Sequence, residues 1–350
     1  MTNAPVMRTA WSEGDSRCAK PTHAGGRMII RAALGAALAL GLLAPPLAGE
    51  AQPAAKVYRV GYLSSAANVF EPFRQALREL GYVEGQNLVL EVRLAAGRLD
   101  QLPALAADLV RARVDLIAAV SPPAIQAAKE ATSTIPIVMA FSGVDPVQSR
   151  FVESLARPGG NITGVMMIAD EISGKRLALL KEMLRGATRL AVLAQVNHSA
   201  SASQVKAAQE AAKSLGIELD VFEVRDSREY ETVLAAVTKR APGLFVVSNP
   251  TFFDDRQRLA ALAVKHRLPI LCEWREMAEA GCVMAYGPNI SDLYRRAATY
   301  VDRIARGARP ADLPVEQPTK FELTINRKTV KALGLTVPQS LLLQADQIIQ

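Results

Sequence analysis

Apolar and polar positions follow two periods that keep replacing each other along this chain. From Lys56 onward, a short β-branched run gives way to a stretch with apolar residues three and four apart. That stretch ends in Leu-Gly or a Pro before the next run begins. The first run predicts a strand over 57–63. Behind it, Phe70, Phe73, Leu77 and Leu80 share one face of a helix over 70–80, and Gly81 closes it as a left-handed C-terminal cap. Strands are expected over 88–93, 114–120 and 135–140, with helices over 99–111 and 124–131 between them. Pro136 is compatible with the last of these strands only near its start.

The alternation breaks over 145–164, where Leu155-Ala156-Arg157-Pro158-Gly159-Gly160-Asn161 reads as the end of a helix and a turn. It then restarts with strands over 189–194, 217–221, 243–247, 269–271 and 283–285. Helices over 174–184, 201–215, 228–240, 251–266 and 274–280 separate them. A helix over 290–305, the Pro-rich stretch 309–318, and a strand and helix over 321–333 complete the pattern.

Repeated βαβ units imply parallel sheets, and the count divides into two doubly wound α/β lobes of similar size. Ligands of such sheets bind beyond the carboxyl ends of the strands, so function is expected in the strand-to-helix loops. Two lobes can turn those loops toward one cleft, and a cleft that closes on a hinge suits the capture of a small molecule.

Ahead of Lys56 the pattern is different. Arg27 and Arg31 precede an apolar run from Ala32 to Ala44, followed by Pro45-Pro46 and the small residues Leu47-Ala48-Gly49-Glu50-Ala51. A membrane span needs about 20 apolar residues, so this run reads as the core of a signal peptide, cleaved after Ala51. Residues 1–27 carry no apolar period, and Met28 is the expected start of translation. Lipidation needs a Cys directly after the apolar run, and Cys18 lies upstream of it, so a soluble periplasmic product is expected, not a lipoprotein.

The net charge of +7 is mild, and no run of five or more Lys/Arg occurs, which argues against nucleic-acid binding. At about 100–200 residues per domain, the length after the leader fits two domains. Cys272 and Cys282 remain after processing. Their expected places at opposite ends of adjacent parallel strands predict two buried thiols and no bridge.

Reactive chemistry is hard to find. His198 and His266 lie in no metal-ligand spacing, and His266 near a helix end suits a solvated or dipole-favoured role. Phosphate-loop, dinucleotide and nucleophile-elbow patterns are absent. Gly159-Gly160 lacks the Lys and Ser/Thr of a phosphate loop and reads as a turn between lobes. No metal or cofactor is expected.

The strand-end loops are rich in hydroxyls and amides instead: Ser64 and Ser65, Ser121, Ser142, Asn197, Ser248, Asn249 and Thr251. Each could be a helix N-cap, but together they surround one expected cleft, suited to holding a carboxylate or another polar group. Asp145 and Glu273 are the carboxylates available to an ammonium. Phe70, Phe141, Trp274 and Tyr286 could supply apolar or stacking surface.

Several blocks, in order, resemble the substrate-binding proteins of ABC importers related to tryptophan- and tyrosine-binding components. They are Gly61-Tyr62-Leu63, 80–87 (LGYVEGQN), 134–138 (TIPIV), Asp145-Pro146-Val147, 154–164, and the tail from Tyr286-Gly287-Pro288 through 313–323 (LPVEQPTKFEL). The resemblance implies a type I periplasmic binding fold with a three-stranded hinge, crossing near Gly164, Tyr286 and Pro318. Lobe 1 would then hold 56–164 with about 287–318, and lobe 2 would hold 165–286 with about 319–350. After Asp145-Pro146-Val147 the family usually continues Gly-Ala-Gly-Leu-Val, whereas this chain has Gln148-Ser149-Arg150-Phe151-Val152.

These readings converge on a monomeric extracytoplasmic solute receptor that makes and breaks no bond. It would present a small polar ligand, with an amino acid favoured and aromatic ones included, to an ABC permease and its ATPase. Three other readings compete with this one. A regulator core would need a helix-turn-helix where the leader stands. An α/β hydrolase would need a nucleophile with a base beside it. A sensor subunit for a membrane receptor shares every feature read so far.

Overall fold

The computed structural model describes residues 56–67, 71–167, 169–196 and 198–350. The expected leader, its cleavage point, Phe70 and Asn197 lie outside the described residues.

The first sheet has strands β1 (Tyr58–Ser64), β2 (Leu88–Leu94), β3 (Leu116–Val120), β4 (Ile137–Ser142) and β5 (Ile162–Met166), in the order β2-β1-β3-β4-β5. All its pairs are parallel. β3 and β4 are buried along their whole length, as continuous apolar runs covered on both faces should be. Helices α1 (Glu71–Glu79), α2 (Leu102–Arg111) and α3 (Pro122–Ala131) are its crossovers. Phe73, Ala76 and Leu77 carry the buried face of α1. Gly81, at φ +89°, takes the left-handed turn expected of it.

The second sheet repeats the plan. α4 (Ala169–Met183), β6 (Arg189–Gln195), α5 (Ser199–Leu215), β7 (Glu218–Val224), α6 (Tyr230–Val237), β8 (Leu244–Val246), α7 (Pro250–Asp254), α8 (Arg256–Lys265), β9 (Ile270–Cys272), α9 (Arg275–Ala280) and β10 (Met284–Gly287) follow in sequence. Then α10 (Ile290–Ala305) packs back on the first sheet, against β4, β5 and α1. Tyr62 and Tyr294 meet through their hydroxyls at 3.3 Å, and Tyr82 donates to Asp302 at 2.9 Å. The chain returns through β11 (Glu322–Asn326), α11 (Arg327–Ala332), α12 (Gln339–Gln344) and β12 (Gln347–Ile349). The second sheet is thereby ordered β12-β11-β10-β9-β8-β6-β7. Only the β10–β11 pair is antiparallel, because β10 leaves this sheet and β11 re-enters it from the same end.

The chain passes between the sheets three times: after β5, after β10 and before β11. The first and third passes pair with each other. Met166 N–H donates to Glu316 at 2.8 Å, Glu316 N–H donates to Gly164 at 3.0 Å, and Thr163 Oγ1 donates to Leu313 at 2.6 Å. Gly164 lies at φ +132°, and a Cβ there would fall 2.3 Å from the Met139 carbonyl, so only glycine fits. Tyr286 and Phe321 stack at 6.1 Å beside the other passes.

Several expectations need correction. The stretch over 145–164 contains no helix end; it is turns and bends followed by β5, a strand hidden from a pattern reading by Gly164 in its middle. The helix expected over 251–266 is two, broken at Asp255 (φ −83°, ψ 8°). α12 and β12 lie beyond the last element that the sequence pattern predicts. Cys272 and Cys282, expected as free thiols, form a disulfide. Cys282 does not begin a strand; it follows Gly281 at φ +128° and precedes β10, so its Cα comes within 6.6 Å of that of Cys272, inside the span of a bridge.

Candidate functional site

Both sheets share one local order. β1 and β3 lie side by side with β2 outside β1, and β6 and β8 lie side by side with β7 outside β6. Each neighbouring pair is a topological switch point, where successive crossovers leave to opposite faces and open a crevice at the strand ends. Ser64, Ser65 and Ser121 end β1 and β3; His198, Ser248, Asn249 and Thr251 follow β6 and β8; Glu273 and Trp274 follow β9.

The two sets of loops touch. Ala67 N–H donates to Asp254 Oδ2 at 2.5 Å. A Cβ on Gly143 would lie 3.4 Å from Ala200, and one on Gly97 would lie 3.7 Å from Thr251. Phe141, at the end of β4, packs edge-on to Trp274 at 6.1 Å, and Trp274 packs on Phe253 at 5.2 Å.

Within this seam the predicted residues divide into two groups. Several are engaged by their own loops. Ser64 Oγ accepts from Ala66 N–H at 3.1 Å, and Ser142 Oγ donates to the Val144 carbonyl at 3.0 Å. Asp145 Oδ1 accepts from Val147 and Gln148 N–H at 2.8 and 3.2 Å. Asn249 caps α7 through Thr251 N–H at 2.7 Å and donates to Gln195 Oε1 at 2.8 Å. Asp145 borders an open groove of about 890 Å³ between α2, α3 and the start of α5, so it lies on the rim.

A second group is buried with hydrogen-bonding capacity unused. Ser65 Oγ, Ser121 Oγ, Thr251 Oγ1, Trp274 Nε1, Arg176 Nη1 and both ring nitrogens of His198 have no hydrogen-bond partner. Native proteins leave few such atoms, because each costs about 1–3 kcal/mol. Ser121 also holds φ +88°, a strained value for a residue with a side chain, of the kind that gathers at binding sites. Burial drives the His198 pKa down to about 4, so its imidazole is neutral at physiological pH.

A buried ion pair adjoins Trp274 in sequence. Arg176 on α4 and Glu273 are 0% and 1% exposed, with Nη2 and Oε1 2.8 Å apart. These two atoms engage each other, while Arg176 Nη1 has no hydrogen-bond partner. Arg176 Nε donates to the Tyr286 carbonyl at 2.7 Å, and Ser248 Oγ donates to Glu273 Oε2. Burial pushes the Glu273 carboxyl above its usual range, and the Arg176 charge opposes that shift. Tyr286 thus contributes its carbonyl and its stack on Phe321. Sequence reasoning missed Arg176 and His198. For Arg176 a signal existed: it stands at the apolar spacing of its helix, four residues from both Ile172 and Leu180, which are buried. His198 stands between Asn197 and Ser199 in a strand-end loop, and that placement was its signal.

Comparison with known proteins places this arrangement. The chain is 27% identical over 264 residues, covering 75% of each, to the tyrosine-binding protein of Clostridioides difficile (strain R20291). An ABC domain in complex with L-Trp from Streptococcus pneumonia superposes at a TM-score of 0.76 with 24% identity, covering 84% of this chain and all of that one. A conserved domain protein from Vibrio cholerae O1 biovar eltor gives 0.77, with the same identity and coverage. A ligand-free, open substrate-binding protein with adhesive properties from Clostridium difficile gives 0.57 at 23% identity, over 84% and 100%. These structures share the fold of this chain. Residues 64–349 match the family described as ABC transporter substrate binding protein, and the chain belongs to that family.

Proposed function

We propose that this protein captures an α-amino acid, an aromatic one by preference, between its two lobes outside the cytoplasm and delivers it to an ABC permease and its ATPase for import. The observation that carries the reading is the buried Arg176–Glu273 pair. It offers a cation and a carboxylate side by side, with Arg176 Nη1 unpartnered and Glu273 Oε1 able to accept a second bond beside the one it shares with Arg176. A zwitterionic head group needs that complement: its carboxylate bonds Arg176 Nη1 and its ammonium bonds Glu273 Oε1. Ser65, Ser121 and Thr251 orient the head group, and Trp274 with Phe141 bounds the side chain.

The lobes close on the solute through the three passes near Gly164, Tyr286 and Pro318, with 56–164 and about 287–318 moving against the remainder. The better superposition on the L-Trp complex than on the open protein, 0.76 against 0.57, supports a closed arrangement here. The tyrosine-binding relative supports the ligand class. Glu273 keeps the ammonium-binding role read from the sequence, while Asp145 is assigned to the rim.

Thermal-shift measurements test the reading. L-Tyrosine, L-tryptophan or L-phenylalanine at a hundred times its Kd raises stability by about 2.7 kcal/mol. The matching amides and des-amino acids, each lacking one charge, bind at least about tenfold more weakly. A melting temperature unmoved by every amino acid overturns the proposal.

A further inference from the structure

We infer that Asp254 is a latch across the seam: it fastens the end of α7 to the loop after β1 when the cleft shuts, and so governs release of a solute that it does not touch. The bond is explicit. Asp254 Oδ2 accepts from the Ala67 N–H at 2.5 Å. Ala67 follows β1 of the first sheet, and Asp254 ends the helix that follows β8 of the second. Both residues are half-buried. Burial raises the pKa of the Tyr62 and Tyr294 hydroxyls, on β1 and α10, and the Asp254 charge raises both further. The carboxylate therefore lies within electrostatic reach of side chains packed on the first sheet.

Each end of the latch is held by its own sheet. Asn249 caps α7 and donates to Gln195 at the end of β6. Phe252 packs on Tyr230 at 6.0 Å and Phe253 on Trp274 at 5.2 Å. On the other side, Ala95 N–H donates to the Ser64 carbonyl at 2.9 Å and Gly97 N–H to the Ser65 carbonyl at 2.8 Å. Ends fixed beforehand lose little freedom when the bond forms. The other approaches across the seam, Gly143 to Ala200 and Gly97 to Thr251, are contacts of carbon atoms that add no polar bond. A carboxylate bound to an N–H is stronger than a neutral pair. Parting the loops returns both groups to water, so the net effect on the balance of shut and open forms is about tenfold. Solute leaves through the open form and enters it before the bond exists, so the latch acts on koff and leaves kon alone. The inference rests on the reading above, capture of an amino acid between the lobes, and adds a positioning residue that sets its release.

Stopped-flow fluorescence of Trp274 in the full chain, with L-phenylalanine and with its des-amino analogue, tests it. Asp254→Ala is expected to raise koff about tenfold for both solutes and to leave kon within about twofold. Asp254→Asn keeps the volume and an uncharged acceptor, so it should raise koff by a smaller factor, about threefold. Melting temperatures of both variants read any folding defect separately. An unchanged koff in both variants, or a change confined to kon, overturns the latch and leaves the head-group site standing. A loss of L-phenylalanine that the des-amino analogue does not share also overturns it, since Asp254 would then hold the ammonium. No binding of any amino acid by the parent overturns both.

Discussion

Replacing Arg176 by Met removes the cation and keeps most of the side chain's volume. Glu273, 1% exposed, then sits in the interior without its counter-charge. Breaking a buried pair from one side costs about 3–5 kcal/mol, because the remaining charge is uncompensated. In a chain of this size, at about 2–4 °C per kcal/mol, the melting temperature should fall by about 10 °C. The pH dependence identifies the cause. Burial already lifts the Glu273 carboxyl above its ordinary value of 4.5, with Arg176 acting against the lift. Without Arg176 the folded-state value rises further. Both folded proteins hold this proton to higher pH than the unfolded chain and the variant holds it longest, so the deficit grows as pH rises past the parent's own raised value and shrinks at acid pH. Adding Glu273→Gln removes the stranded charge and should recover most of the lost stability, but not amino-acid binding. Differential scanning calorimetry of parent, single and double variants between pH 4.5 and 8 measures this. A deficit below about 1 kcal/mol at pH 7, a deficit independent of pH, or a double variant no more stable than Arg176→Met refutes the reasoning.

Three further outcomes are expected. His198, held near 4 by burial alone against 6.5 in water, takes a proton in the unfolded chain before the folded one; its contribution is intact above pH 6.5 and declines by up to about 3 kcal/mol toward pH 4, which His198→Leu should flatten in a stability–pH profile. Cys272→Ser with Cys282→Ser opens a bridge of sequence separation 10, which should cost about 3 kcal/mol in chemical denaturation and weaken binding, because Glu273 and Trp274 follow Cys272 directly. Gly164→Ala places a Cβ 2.3 Å from the Met139 carbonyl at φ +132°, so a loss of roughly 3 kcal/mol or more is expected, read as a lower melting temperature.

The fold was legible wherever burial on both faces made a strand one continuous apolar run, as in β3, β4 and β6, and wherever a crossover carried a clear stripe, as in α1 and α10. It was illegible where tertiary geometry overrides local pattern. β5 is interrupted by Gly164, which is there because a backbone carbonyl approaches, and β12 is a three-residue strand paired only to β11. The bridge between Cys272 and Cys282 depends on the turn at Gly281, a matter of backbone angle that residue spacing does not encode.

The site was half legible for a similar reason. Strand-end placement named Ser65, Ser121 and Thr251, each of which has a buried side-chain atom without a hydrogen-bond partner, and Glu273, which pairs with Arg176, because doubly wound topology puts such residues at the crevice. It could not separate them from Ser64, Ser142 and Asn249, whose side chains bond their own loops. Arg176 lies in a helix two turns from any strand end and reaches the crevice only because α4 crosses behind β8 and β9.

A crystal structure of the protein grown with L-tyrosine tests the head-group assignment most directly. The ligand carboxylate should lie about 3 Å from Arg176 Nη1 and its ammonium about 3 Å from Glu273 Oε1, with both lobes closed around it. A ligand bound on the outer groove, or one in the cleft whose head group touches neither Arg176 nor Glu273, would contradict it.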